Sequence, residues 1–146
     1  NLSYYKIGKD KMILVAPKDY EIEEEIDFVK LVEHPFILLN DKVYVIDAIS
    51  KKLNTIGLKI EDLNILYNSD SAEAVKSSVL NGFGIGFLPY TSVKKELYNE
   101  QLKEINIKDY SIEYDMYLIY NKNIKEDQVL YNFIEHFKKT AERSLC

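Results

Sequence analysis

The fold of this chain is decided by two adjoining runs of sequence, Ser71-Ala72-Glu73-Ala74-Val75 and Val79-Leu80-Asn81-Gly82-Phe83-Gly84-Ile85-Gly86-Phe87-Leu88-Pro89. Asp70 and Glu73 have the spacing of a capping box, which predicts a helix with Asp70 as its N-cap. Asn81-Gly82 is a strong stop signal for that helix. The run from Gly84 to Leu88 is typical of a buried strand that Pro89 ends. A helix leading directly into a buried strand is therefore predicted.

The glycines of this segment have two interpretations. A phosphate-binding loop follows a strand and opens a helix, whereas these glycines follow a helix and open a strand. The order of elements therefore argues against a dinucleotide site. Close approach of a neighbouring backbone or side chain explains the glycines better.

Strands and helices alternate around this segment. Buried strands are predicted at residues 10–16 and 35–39 from their short apolar runs, and further strands are predicted at 63–67, 102–107 and 114–120. Helices are predicted at 28–32, at 43–56 with the apolar stripe Val43, Ile46, Ile49, Leu53 and Ile56, and from about Ile124 to Ser144 with the stripe Leu130, Phe133, Ile134, Phe137 and Ala141. Asn123 and Glu126 are spaced as a capping box for the last helix. This alternation predicts an α/β fold with a mixed, mostly parallel sheet and flanking helices.

Composition excludes several classes of protein. The 146 residues suit one compact domain or two very small lobes. A hydrophobic content of 47% supports a real core, and a net charge of −5 argues against direct binding to nucleic acid. No run approaches a membrane span, so no membrane partner is expected. The single cysteine, Cys146, cannot form an intrachain disulfide, which favours a reducing compartment and the cytoplasm.

Candidates for catalysis or metal binding are few. His34 precedes Pro35, His136 lies in the last helix, and neither has a cysteine or carboxylate at ligand spacing. The serines near Asp70 lack a Gly-x-Ser-x-Gly elbow. We therefore expect no enzyme activity, no metal and no cofactor. The acidic stretch 21–27 is explained by a solvated face before a helix, with a functional acidic patch as the alternative.

The segment from Ser71 to Pro89 closely resembles the effector-binding domain of LysR-type transcriptional regulators, where a similar helix leads into a Gly-x-Gly-Ile-x-x-Leu-Pro strand. The run 10–17, the strand at His34-Pro35-Phe36-Ile37-Leu38, the helix ending in Gly57-Leu58 and the final strand and helix resemble the family's elements in the same order. The resemblance covers nearly the whole chain.

This resemblance implies a periplasmic-binding-protein type 2-like fold, in which an effector is held between two lobes. Residues from about 14 to 115 would form the second regulatory lobe, and residues 1–13 and 116–146 would belong to the first lobe. The remainder of the first lobe and the DNA-binding winged helix-turn-helix would lie upstream of Asn1. The chain would therefore contact DNA only through a domain that it does not contain.

Ligands of open α/β sheets bind at the carboxyl ends of strands, and helix N-termini there attract anions. The candidate effector-binding residues are Asn40 and Asp41 after one strand and Asn68, Ser69, Asp70 and Ser71 after the next. Many family members sense small carboxylates, which Asp41 and Asp70 would repel. Both aspartates have a second interpretation, as helix caps only.

The resemblance also implies a homodimer or higher homo-oligomer. Helix 43–56 and strand 63–67 are the candidate interface, and the apolar surface of strand 114–120 and the final helix would also need a partner. The alternative function is a solute-binding protein of a transport system, which shares the fold and binds a similar metabolite. The segment upstream of Asn1 distinguishes the two functions.

Overall fold

The structure is a computed structural model that describes the backbone of residues 1–145 and the side chains of residues 1–141 and 143. Cys146, which carries the expectation about the redox compartment, lies outside the described residues. The chain forms two compact units. The large unit comprises residues 11–112, and the small unit joins residues 1–10 to the chain from residue 113 onward.

Seven strands and four helices are present in the described residues. In chain order they are β1 (Leu2–Pro17), β2 (Glu25–Ile26), β3 (Pro35–Leu39), α1 (Val43–Thr55), β4 (Asn64–Ser69), α2 (Ala72–Leu80), β5 (Gly86–Pro89), α3 (Tyr90–Tyr98), β6 (Leu102–Ile107), β7 (Ile112–Asn121) and α4 (Gln128–Leu145). Short 3-10 helices cover Phe28–Glu33, Ile60–Asp62 and Lys122–Glu126. No helix in residues 1–145 is both long enough and apolar enough to cross a bilayer.

The strands of the large unit follow the order β2-β6-β1-β5, and a parallel bridge between Phe36 and Ile85 connects β5 to the parallel pair β3-β4. β1 runs antiparallel to both β5 and β6, whereas β2 and β6 are parallel. The predicted mixed α/β fold is confirmed. The apolar stretch 12–16 of β1 is buried throughout, as expected for a strand with neighbours on both sides.

Helix α1 lies where it was predicted, but its buried face is different. The buried residues are Val45, Ile49 and Leu53, whereas the first residue of the predicted stripe, Val43, is 78% exposed. Two residues correspond to about 200° around a helix, so Val43 and Val45 point in opposite directions. The predicted stripe was therefore wrong at both ends, since its last residue, Ile56, lies beyond the helix and is 42% exposed. Gly57 ends the helix with a φ of +78°, as predicted.

The glycines of β5 and its approach lie against the backbone of β3. A Cβ atom on Gly84 would lie 2.5 Å from the Pro35 carbonyl oxygen, and one on Gly86 would lie 2.7 Å from the Ile37 carbonyl oxygen. Real Cβ atoms do not approach backbone oxygens so closely. The interpretation of these glycines as close-packing residues is confirmed.

In the small unit, β7 pairs with β1, and the side-chain contacts between them include a ring pair, Tyr4–Tyr117, with centroids 5.9 Å apart. The Lys6 ammonium lies 3.2 Å from the Asp115 carboxylate. β7 extends the predicted strand 114–120 by two residues at the N-terminal end and one at the other.

Helix α4 begins later than predicted. The Asp127 carboxylate accepts a hydrogen bond from the Leu130 amide at 3.1 Å, so Asp127 caps the helix. The preceding residues form the 3-10 helix instead, and the Asn121 side chain accepts from the Asn123 amide at 2.9 Å. The predicted start at Ile124 with a capping box of Asn123 and Glu126 is therefore wrong.

The apolar stripe of α4 is only partly buried. Ile134 is buried, whereas Leu130, Phe133 and Phe137 are exposed. Tyr117 and Ile119 of β7 are exposed as well. The predicted exposure of apolar surface on these two elements is thus present.

Two elements were not predicted. β2 has only two residues, and α3 has only two buried residues, Val93 and Glu96, which is too few for a recognisable apolar stripe.

We expect Gly86→Ala to lower the free energy of unfolding by about 2–3 kcal/mol, because the new methyl group would overlap a backbone oxygen that cannot move independently. Gly57→Ala is the control, since its Cβ would meet no atom within 4 Å and the cost arises only from the positive φ, about 1 kcal/mol. Urea unfolding followed by circular dichroism measures both values. A smaller loss for Gly86→Ala than for Gly57→Ala would contradict the close-packing role.

Candidate functional site

The predicted site residues lie at the carboxyl ends of β3 and β4. These strands are parallel neighbours, and the register pairs Leu39 with Ser69. The Asn40 amide donates to the Ser69 carbonyl at 2.9 Å, and the Asn40 side-chain amide donates to the Asn68 side-chain oxygen at 3.2 Å. Two turns that are 28 residues apart in sequence are thus joined directly.

The turn from β4 into α2 is held by two serines. The Ser69 hydroxyl oxygen accepts from the Ser71 amide at 3.1 Å, and the Ser71 hydroxyl oxygen accepts from the Ala74 amide at 3.2 Å. Ser71 is therefore the N-cap of α2. The prediction that Asp70 caps this helix is wrong.

The predicted capping box does not form because Glu73 is at the wrong distance from the true N-cap. With Ser71 as N-cap, Glu73 falls one residue short of the position from which its side chain could reach back to the cap. The Glu73 carboxylate lies 3.2 Å from the Lys76 ammonium instead. Asp70 is left exposed beside the turn.

Asp41 is not a cap of α1 either. The N-cap position belongs to Lys42, and among the described residues no side chain caps this helix. The Asp41 carboxylate lies 2.9 Å from the Lys42 ammonium. This ion pair offsets the negative charge that Asp41 would bring to the site, although both side chains are partly exposed and the pair is screened by water.

Four of the six predicted residues therefore form one hydrogen-bonded cluster, which we call the polar edge: Asn40, Asn68, Ser69 and Ser71. Asp41 and Asp70 flank it. The cluster is largely exposed and carries no formal charge of its own. Its hydroxyl and amide groups can both donate and accept hydrogen bonds.

One network near the polar edge was missed by the sequence analysis. The Lys76 ammonium lies 3.3 Å from the buried Glu96 carboxylate and donates to the Ser92 carbonyl at 3.1 Å, which connects α2 to α3. Burial lowers the pKa of Lys76, but its hydrogen bonds to the Glu73 and Glu96 carboxylates outweigh burial and raise the pKa overall. Because α3 was not predicted, only the spacing of Glu73 and Lys76 could have indicated part of this network.

Neither of the two histidines lies at the polar edge. His34 Nδ1 lies 2.9 Å from the Tyr20 hydroxyl, and His136 is exposed on α4. Among the side chains that the structure describes, no group of three from His, Cys, Asp or Glu is arranged to hold a metal ion.

The acidic stretch before the first 3-10 helix borders a depression of about 420 Å³ in the large unit. Its lining contains four acidic residues, Glu23, Glu25, Asp27 and Glu33. It also contains Lys30, Lys108 and His34. This depression does not include the polar edge.

By its fold, the chain is an α/β domain with a mixed sheet, of the periplasmic-binding-protein type 2-like class. The family model described as "LysR substrate binding domain" matches residues 1–142. The chain therefore belongs to the LysR substrate-binding domain family.

Relatives in sequence are named as transcriptional regulators. An uncharacterized HTH-type transcriptional regulator of Methanocaldococcus jannaschii is 25% identical over 141 residues, which are 95% of this chain and 48% of the relative. A probable RuBisCO transcriptional regulator of Trieres chinensis is 26% identical over an alignment of 148 positions, which covers 97% of this chain and 48% of the relative. The chain thus spans about half the length of these relatives.

Solved structures with a similar fold include regulatory domains of other proteins. The regulatory domain of Synechocystis CcmR in complex with 2-PG has a TM-score of 0.74 at 16% identity, covering 97% of this chain and 68% of that one. The effector-binding domain of QuiR in complex with shikimate has a TM-score of 0.70 at 15% identity, covering 97% of this chain and 66% of that one. At these identities the likeness establishes the fold alone.

We expect Ser71→Ala to lower the free energy of unfolding by about 1 kcal/mol, because the Ala74 amide loses its capping acceptor. Asp70→Ala should change it by less than about 0.5 kcal/mol, as for an exposed residue without a structural role. Parallel denaturant titrations of the two variants measure this difference. If Asp70→Ala is the more destabilising of the two, the assignment of Ser71 as the cap is wrong.

Proposed function

We propose that this chain is the effector-sensing part of a LysR-type transcriptional regulator and that a small-molecule metabolite binds at the polar edge. The observation that carries this proposal is the direct joining of Asn40 to Asn68 and Ser69 at the carboxyl ends of two parallel strands. Open α/β sheets bind ligands at this position. Membership of the LysR substrate-binding domain family supports the same site.

The hydrogen bonds of the polar edge favour a ligand with acceptor oxygens. The oxygens of Ser69 and Ser71 each accept one backbone amide, so each hydroxyl still has its proton to donate and one lone pair to accept. The Asn68 side-chain oxygen accepts from Asn40, which leaves its NH₂ group as a donor. The ligand proposed is a small hydroxylated or carboxylated metabolite, and the ion pair of Asp41 with Lys42 reduces repulsion of a carboxylate.

In this proposal the ligand alters lobe closure and oligomer geometry, and DNA is contacted through a helix-turn-helix domain outside this chain. The relatives named above are regulators rather than enzymes, which supports a binding function. They also favour a regulator over a solute-binding protein of a transport system. A regulator acts where the chromosome lies, so we propose a cytoplasmic location.

The proposed homo-oligomer interface is formed by α1 and β4. β4 pairs only with β3 among the described strands, so its other edge is open to a partner. Leu66 and Tyr67 on β4 are 50% and 41% exposed, and Val43 and Tyr44 at the start of α1 are exposed too. Apolar side chains on two adjoining elements are the chemistry that a second copy of this chain would bury.

Ligand binding is tested by thermal unfolding of the chain with a panel of small carboxylates and sugar acids, shikimate included. A compound present at 100 times its Kd should add about 2.7 kcal/mol to the stability. Asn68→Ala should abolish that gain, because the Asn68 NH₂ group is a proposed ligand donor.

Asn64→Ala is the matched control, since Asn64 is an exposed asparagine at the opposite end of the same strand. It should preserve the gain in stability. Equal loss of ligand response in both variants would overturn the placement of the site, and a signal peptide encoded upstream of Asn1 would overturn the regulator.

The interface is tested by sedimentation equilibrium of Leu66→Lys. Burying an ammonium group against apolar side chains should weaken self-association at least about tenfold. Tyr98→Lys is the control, because Tyr98 lies on α3 and is 88% exposed. A Leu66→Lys variant that associates as the unaltered chain does would exclude this surface.

A further inference from the structure

A second pocket, of about 320 Å³, lies entirely within the small unit. The end of β7, the 3-10 helix Lys122–Glu126, α4 and Ser3 of β1 form it. This volume is at the lower end of the range of about 300–1,000 Å³ that small-molecule sites occupy. The pocket shares no residue with the polar edge.

The lining of this pocket is positively charged in a chain of net charge −5. It contains three ammonium groups, those of Lys122, Lys125 and Lys138, and one carboxylate, that of Glu135, which gives a local charge of +2. The Glu135 carboxylate lies 3.3 Å from Lys138. Neither Lys122 nor Lys125 has an ion-pair partner in the part of the chain that the structure describes, so their charges are available to a ligand.

Lys138 is fixed more firmly than a surface lysine. Its ammonium lies 4.4 Å from the centre of the Tyr5 ring and 5.1 Å from that of Tyr120, and it donates to the Tyr120 hydroxyl at 3.4 Å. Burial lowers the pKa of Lys138, but hydrogen bonds to Tyr120 and Glu135 outweigh it and raise the pKa overall. The group therefore remains cationic at neutral pH.

Apart from the polar Ser3, the rest of the lining is apolar or aromatic. Ile124 and Ile134 are both buried and contribute apolar surface, and Tyr120 and Tyr131 contribute rings. A bare inorganic ion would leave this surface unused. The combination fits a ligand with a compact apolar body and one acidic group.

We propose that this pocket, hereafter the cationic pocket, is a second ligand site that binds a small organic anion. The apolar body lies against Ile124 and Ile134, and the acidic group lies toward Lys122 and Lys125. Carboxylates and phosphate monoesters share this chemistry. The site is independent of the polar edge, so it stands whether or not a metabolite binds there.

The test is an NMR titration of the chain carrying ¹³C-labelled isoleucine methyl groups, with benzoate as the probe. Saturable shifts of the Ile124 and Ile134 methyl signals at millimolar benzoate are expected. Benzyl alcohol, which has the same ring without the charge, should bind at least about threefold more weakly. Phenyl phosphate distinguishes a preference for a phosphoryl group from one for a carboxylate, and inorganic phosphate should leave both signals unmoved.

Lys122→Gln and Lys125→Gln should each weaken benzoate binding between about twofold and fivefold, as expected for a partly exposed ion pair. Lys139→Gln is the matched control, because Lys139 is exposed on α4 and does not line the pocket. Asn68→Ala should also leave benzoate binding unchanged, which separates this site from the polar edge.

Three results would overturn the proposal. They are the absence of saturable shifts at Ile124 and Ile134, equal binding of benzoate and benzyl alcohol, and equal effects of Lys139→Gln and Lys122→Gln. Because all three lysine variants alter exposed or rim side chains, loss of folding would not imitate any of these results.

Discussion

The contact of β3 with residues 84–86, which lead into β5, is the constraint on which the large unit depends. The Ile37 amide donates to the Ile85 carbonyl, and the Ile85 amide donates to the Pro35 carbonyl, each at 2.9 Å. Gly84 and Gly86 permit this approach because any Cβ there would overlap the carbonyl oxygens of β3. Through this contact the pair β3-β4, and with it the polar edge, is joined to the buried strand β1. The glycines thus serve the site indirectly, by placing the strands whose ends form it.

Particular side chains were predicted to cap three helices, and for α1 and α2 the prediction was wrong by one residue. This shift changes which charges are paired at the site. A helix is capped by the residue whose extended backbone immediately precedes the first turn, and several neighbouring polar residues can satisfy the same sequence pattern. Ser71 rather than Asp70 takes that position before α2, and Lys42 rather than Asp41 takes it before α1. The Asp41 charge is consequently paired with Lys42, while the Asp70 carboxylate stays exposed beside the polar edge. The third start, that of α4, was displaced further because a 3-10 helix occupies the predicted first turn.

The polar edge and the cationic pocket differ in how they can hold a ligand. At the polar edge, neutral hydroxyl and amide groups are oriented by backbone hydrogen bonds, which favours recognition by directed hydrogen bonds. The cationic pocket is lined by ammonium groups together with apolar and aromatic side chains, which favours a charged group attached to a hydrophobic body. The residues of the pocket come from both ends of the chain, Ser3 and Tyr120 to Lys138, and their meeting depends on the pairing of β1 with β7.

By itself, the sequence determined the alternation of elements, the buried strands and the glycine packing. It also determined the turns that hold Asn40, Asn68, Ser69 and Ser71. Each of these depends on short-range patterns of apolar residues, glycine and proline. It also carried the resemblance to the family to which the chain belongs. Only the tertiary structure decided which residue caps each helix, that Val45 rather than Val43 faces the core, that α3 exists, and that Lys76 is bonded to Glu96. It alone brought Lys122, Lys125 and Lys138 around one pocket. The caps were ambiguous because neighbouring polar residues fit the same pattern, and the other outcomes depend on contacts between residues distant in sequence, whose energies no local pattern contains.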